Sequence, residues 1–253
     1  MQFSTKTSAP EKTRTGCAIV AVHAGKPGAA ARAIDAQAGG AIAASLARGD
    51  LPAKAGSTLL VGLGGAVERA LLVSVGDEAI VAEKAFADAA RAVVRALAAT
   101  GAKDAASWLG EVEVAGRDLR WKARVLAPAA REAGYRFDRM KSKRDASPRG
   151  PGALAFGCDR AQAAAVGAEL KAATALADGM DLAKDLGNLP GNVCTPAYLA
   201  DAAKKLGREH GLKVEVLERK QMEALKMGSL LAVAQGSALA PKLVVMRYDL
   251  SLI

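Results

Sequence analysis

Short apolar runs alternate along this chain with segments of helical periodicity, and that alternation limits the fold more than any other feature. Gln2–Thr7 and Gly16–Val22 read as strands, the second carrying a nearly continuous apolar run from Ala18 to Val22. Ile34, Ala38, Ile42 and Leu46 then recur four residues apart, which is one face of a helix. Gly39 and Gly40 sit in its middle, where each costs a helix about 1 kcal/mol against alanine. Thr58–Val61 and Ala70–Val75 read as strands joined by a Gly-rich turn. Ile80–Thr100 is the clearest amphipathic helix: Val81, Ala85, Ala89, Val93 and Leu97 line up, with Gly101 at the C-cap. Strand, helix and strand in succession point to an α/β sandwich with a largely parallel sheet.

The second half begins with a boundary. Lys141–Gly152 has no apolar periodicity and holds Pro148, Gly150, Pro151 and Gly152, an exposed loop or linker. After a short strand, Ala153–Phe156, the helical spacing of Val166, Leu170, Ala173, Ala177 and Met180 predicts a long helix over 159–186, stopped at Gly187. Thr195-Pro196 is a helix start, an N-cap threonine followed by proline at the first helical position, and that helix ends by Gly211. LKVEVL alternates as a strand does, a short helix follows over Lys220–Leu225, and Lys242–Tyr248 reads as a final strand. Leu243–Met246 is apolar without alternation, the pattern of a parallel strand covered on both faces. Two strands and two short helices after Asn188 are too little to cover it, so this region is expected to open a domain whose remainder lies outside the chain.

Composition narrows the class further. Hydrophobic residues are 51% and charged residues 24% of 253, the balance of a globular domain. No apolar run approaches the roughly 18–20 residues of a membrane span, and the N-terminus has no apolar signal-peptide core. These features exclude collagen, coiled coil, membrane-spanning and disordered classes. Cys17, Cys158 and Cys194 are scattered and odd in number, which speaks against a disulfide framework and for a cytoplasmic location.

Charge is concentrated in one place. Between Arg117 and Arg149 eleven Lys and Arg face four acids, +7 of the chain's net +9. At 100° per residue Arg117, Arg120, Arg124 and Arg131 fall within an arc of about 60° on one helix face, a stripe that could track phosphates. With Lys141, Lys143 and Arg144 these are the candidate nucleic-acid contacts. Pro128 is expected to kink or break that helix, and 4% aromatics speaks against base stacking. A solvated outer face followed by a basic loop is the commoner meaning of such a segment.

Most catalytic signatures are missing. G-x-S-x-G, Walker A, H-E-x-x-H and C-x-x-C strings do not occur, and His23 and His210 are the two histidines. Gly62-Leu63-Gly64-Gly65 follows a strand, but position 67 is Val67 and another strand comes next, so it reads as a plain turn rather than a dinucleotide loop. Asp178, Asp181 and Asp185 share one helix face, the usual mark of a hydrated stripe beside Lys184 rather than of a metal site.

One stretch carries a resemblance. Asn188–Ala200 reads NLPGNVCTPAYLA, preceded by AKDLG, and with Met227–Ser237 (MGSLLAVAQGS) and KLVVMRYD it resembles the opening of the catalytic domain of the leucyl (cytosol) aminopeptidase family, bacterial aminopeptidase A type. Upstream, GRDLRWKARVLAPAAREAGYRFDRMKSKR and the opening QFSTKTSAPEKTRTGC resemble the end and the first strand of that family's N-terminal domain. Gly191 stands where the family usually has a second proline, and Leu250-Ser251-Leu252-Ile253 does not resemble the family's continuation.

The resemblance implies a macro-domain-like α/β sandwich over 1–158, a connecting helix over 159–187 and an incomplete second α/β domain over 188–253. It implies a cytoplasmic homo-hexamer that removes N-terminal residues from peptides with two divalent ions, zinc or manganese. The ligands of those ions lie in V-G-K-G, F-D-S-G-G and N-T-D-A-E-G-R motifs, none of which occurs here. No catalytic or metal residue carries over, and the chain alone is expected to be inactive. The alternative is a regulatory module that binds DNA through segment 117–149.

Overall fold

The computed structural model describes residues 1–78, 80–143 and 150–248. These divide into two compact units, Met1–Ala183 and Lys184–Ile253.

The first unit is built on a sheet whose strands are β1 (Gln2–Lys6), β2 (Ala18–His23), the short β3 (Lys26–Pro27), β4 (Thr58–Gly62), β5 (Arg69–Ser74), β6 (Asp104–Ser107) and β7 (Ala153–Gly157). Their order is β1-β7-β6-β2-β5-β4, with β3 paired to β2. Every neighbouring pair from β1 to β5 is parallel, whereas β4 closes the edge antiparallel to β5 as a hairpin around Gly62–Gly65. The Gly-rich string is thus a turn, as its sequence context implies.

The continuous apolar run of β2 has a direct cause. Ala18, Val20 and Val22 point to one face and Cys17, Ile19 and Ala21 to the other, and all are buried. A strand covered on both faces loses its alternation because neither face meets water. One cover is α1 (Ala29–Gln37) and α2 (Ala41–Ala47); the other is α3 (Glu83–Ala98), α4 (Leu119–Gly134) and α5 (Ala163–Asn188). Burial pushes the Cys17 thiol up to about 11, so it is an inert core side chain. All three cysteines are free.

Some elements depart from the sequence expectation. The single helix expected across Ile34–Leu46 is two, because Gly39 and Gly40 take left-handed φ values of 66° and 80°. Asp35, 8% exposed, then supplies the second helix with its cap, accepting from the Ile42 N–H at 2.7 Å and the Ala43 N–H at 3.1 Å. Strand β6, a run of small residues with weak strand propensity, has no apolar pattern to announce it. It forms because β2 and β7 supply ladder partners on both of its edges. Pro128 does not break α4, which runs unbroken from Leu119 to Gly134 with buried Ala123, Leu126, Ala127 and Ala130 holding it to the core. Arg117 lies before the helix, whose N-cap is Asp118.

The second unit begins within α5. It contains α6 (Pro196–His210), β8 (Lys213–Leu217), α7 (Arg219–Ala224), α8 (Gly228–Ala234) and β9 (Leu243–Arg247). The Thr195 hydroxyl caps α6 by accepting from the Tyr198 N–H, and Gly211 ends the helix at φ 70°. The final strand is not parallel as its pattern suggests: β9 pairs antiparallel with β8, from Lys213↔Arg247 to Leu217↔Leu243. Its side chains are half-buried or exposed.

Pro128 has no N–H to give the Arg124 carbonyl, so α4 carries a defect that its packing overcomes. Pro128→Ala is expected to raise stability by about 2 kcal/mol, a helix-interior proline cost of about 3 less about 1 from the freer unfolded chain. Urea unfolding of the two forms checks this.

Candidate functional site

The basic stripe is the first candidate, and its side chains are engaged. Arg117 Nε donates to Glu83 at 2.8 Å while its guanidinium lies 5.4 Å from the Trp121 ring centre. Arg120 pairs with Asp118 at 2.8 Å. Arg124 reaches Glu169 on α5 at 2.5 Å, and Arg131 reaches Asp178 at 2.7 Å and Asp181 at 2.8 Å on the same helix. The Arg124 guanidinium holds the Glu169 carboxyl below the usual carboxylate range. Arg124 and Arg131 are therefore one side of an ion-pair seam between α4 and α5, and two of the three aspartates read as a hydrated stripe lie on its other side. Lys141 and Lys143 are exposed beyond the helix, and Arg144 lies outside the described residues. Among the described residues no group of three or more His, Cys, Asp and Glu side chains could hold a metal ion.

A second candidate is a crevice at the carboxyl ends of the parallel strands. Strand β2 exits toward α1 on one face of the sheet and its neighbour β5 exits toward α3 on the other. Where adjacent strands diverge in this way the sheet opens, the usual place for a ligand in an α/β fold. A cavity of about 410 Å³ lies there, lined by His23, Lys26, Arg32, Val75, Val81 and the segment Glu111–Glu113, among others.

Two charged side chains shape its wall. Lys122, 7% exposed on α4, donates from Nζ to the Gly110 carbonyl at 2.9 Å. Burial pushes its amine down, against the attraction of Glu113 and Asp118. Glu111 accepts from the Ala30 N–H at 2.9 Å and so caps α1 from 81 residues away. A Cβ at Gly28, the N-cap of α1, would run into the Glu111 carboxylate and displace it from this position. Desolvation pushes the Glu111 carboxyl up, opposed by the Ala30 N–H, the Arg32 charge and the Ala29 N–H. His23 bonds through Nε2 to the Glu78 carbonyl at 2.6 Å. Sequence reasoning missed this constellation, because its parts lie on separate connections of the sheet and share no local spacing.

Comparison with known proteins agrees with the fold. Residues 18–144 match the family model described as cytosol aminopeptidase family, N-terminal domain, and 181–251 match that family's catalytic domain. The probable cytosol aminopeptidase of Aromatoleum aromaticum is 47% identical over 254 residues, covering 98% of this chain and 51% of that protein. The cytosol aminopeptidase of Pseudomonas aeruginosa is 45% identical over 253 residues, with coverages of 98% and 51%. A tomato leucine aminopeptidase mutant shares the fold with a TM-score of 0.81 at 21% identity, covering 97% of this chain and 50% of that one. The bottromycin maturation enzyme BotP in complex with Mn gives a TM-score of 0.72 at 25% identity, over 93% and 45% of the two chains. The chain thus spans about half the length of the curated relatives it matches.

Two outcomes follow from the geometry. Removing Arg131, 21% exposed between two carboxylates, is expected to cost about 1 kcal/mol, and the loss shrinks in high salt. Chemical denaturation of Arg131→Ala at two salt concentrations reads it. For Glu111 the raised carboxyl means the folded chain holds that proton more readily than the unfolded chain. Its stabilising contribution is full below the ordinary glutamate range and is lost as pH rises through the raised value. Glu111→Gln lacks this dependence, so the variant gains stability relative to the natural chain as pH rises from the ordinary glutamate range through the raised value. Urea midpoints across that range measure it.

Proposed function

The chain belongs to the cytosol aminopeptidase family, and from that premise we propose that it is the N-terminal portion of a metal-dependent leucyl-type enzyme that hydrolyses N-terminal residues from peptides. The observation that carries the reading is the succession of both family domains in one chain, at 47% identity to a relative of about twice the length. The proposal extends to two divalent ions and a homo-hexamer, with the manganese of BotP supporting the metal.

The described residues do not make the metal site. The described residues hold no cluster of suitable donors, and the family's ligand motifs are absent from the sequence. The chemistry is therefore assigned to the part of the family's length that this chain does not span, and no catalytic step is derived through it. Two bound ions there would supply Lewis acidity and lower the pKa of a bound water.

Release of p-nitroaniline from leucine p-nitroanilide tests the reading. The protein extended to the length of its relatives is expected to turn over with manganese and to lose activity to a chelator, while the 253-residue chain stays inactive. Metal-dependent turnover by the 253-residue chain would overturn the inactivity.

A second reading, duplex DNA binding by segment 117–149, is favoured by one observation: Lys141 and Lys143 are exposed and form no ion pair among the described residues. Replacing both by glutamate is expected to weaken duplex binding and flatten its salt dependence. Unchanged affinity in a filter-binding titration would remove this reading.

A further inference from the structure

We infer that the crevice between β2 and β5 is a binding site for a small zwitterion of the amino-acid class. Its position is the first reason. The cavity opens where neighbouring parallel strands send their chains to opposite faces, and about 410 Å³ is the size of a small-molecule pocket.

The lining supplies the chemistry. Val75, Val81 and Val112 give an apolar floor, and all three are buried in the core. Two cations follow β2, Lys26 on β3 and Arg32 in the first turn of α1. The connection after β6 contributes two carboxylates, Glu111 and Glu113. Lys26 and Glu113 are both exposed, and neither forms an ion pair among the described residues. Arg32 gives one N–H to the Pro27 carbonyl at 2.7 Å and keeps other donors. A simple anion would meet the two glutamates, and a simple cation would meet Lys26 and Arg32. An apolar body bearing a carboxylate and an ammonium satisfies both sets while its side chain covers the valines.

The wall that presents the carboxylates is held in place. Lys122 fastens the Gly110 carbonyl to α4, and Glu111 fastens the next residue to the first turn of α1. The loop thus needs little reordering when a ligand arrives, which lowers the entropic cost of binding. The inference goes beyond the aminopeptidase reading and does not rest on it, because it uses only the charges and cavity of the first unit.

The test is a titration of the 15N-labelled 253-residue chain with L-leucine and with glycyl-leucine, following backbone amide shifts. Saturable shifts at Gly28, Ala29 and Val112 with either compound are expected. N-acetyl-leucine, which lacks the ammonium, and leucinamide, which lacks the carboxylate, are expected to bind at least about ten-fold more weakly. Lys26→Ala and Glu113→Gln are each expected to cut affinity about ten-fold, and their own spectra report that the fold is intact. The inference is overturned if neither zwitterion shifts these amides, if the two neutralised analogues bind as well, or if both substitutions leave affinity unchanged. The readout involves no turnover, so its failure leaves the peptidase reading untouched.

Discussion

Strand β2 is hydrogen-bonded along both edges and covered on both faces, and the architecture of the first unit follows from satisfying it. Its backbone donors and acceptors need ladder partners because no water reaches them, and β5 and β6 provide them. Its two apolar faces each need a helical layer, so the chain places α1 and α2 on one side and α3 to α5 on the other. A parallel sheet covered on both sides needs connections on both faces, and here the exits of β2 and β5 diverge into opposite layers. The opening between β2 and β5 is the geometric result of that divergence.

Polar contacts then fix the layers. Asp35 caps α2, Glu111 caps α1, and Lys122 anchors the Gly110 carbonyl after β6 to α4, each joining backbone groups that would otherwise be left unpaired. Arg124 and Arg131 join α4 to α5 through Glu169, Asp178 and Asp181. Cations that the sequence concentrates in one segment are thus paired in the fold with acids on other elements, while Lys141 and Lys143 beyond the helix form no ion pair among the described residues. Net charge along a segment is a poor guide to surface potential when the compensating acids lie some fifty positions away, as Asp181 does from Arg131.

Much of the fold is legible residue by residue. The apolar run of β2, the amphipathic face of α3 and the Thr195-Pro196 start of α6 each state their element locally, since periodicity and capping involve only neighbouring positions. Strand β6 does not, because its small residues take strand geometry only once partners exist on both edges. Pro128 misleads for the same kind of reason: its local cost is real, and burial of Ala127, Ala129 and Ala130 exceeds it.

By itself the amino-acid sequence determines the α/β class, most of its elements and the family, because these depend on local periodicity and on blocks of residues in a constant order. Tertiary structure alone decides which charges meet. The crevice joins Lys26, Arg32, Glu111 and Glu113, and the seam joins Arg131 to Asp178 and Asp181. Those meetings are set by strand order and by the divergence of the β2 and β5 exits, long-range consequences of burying one strand completely, and no spacing along the chain encodes them.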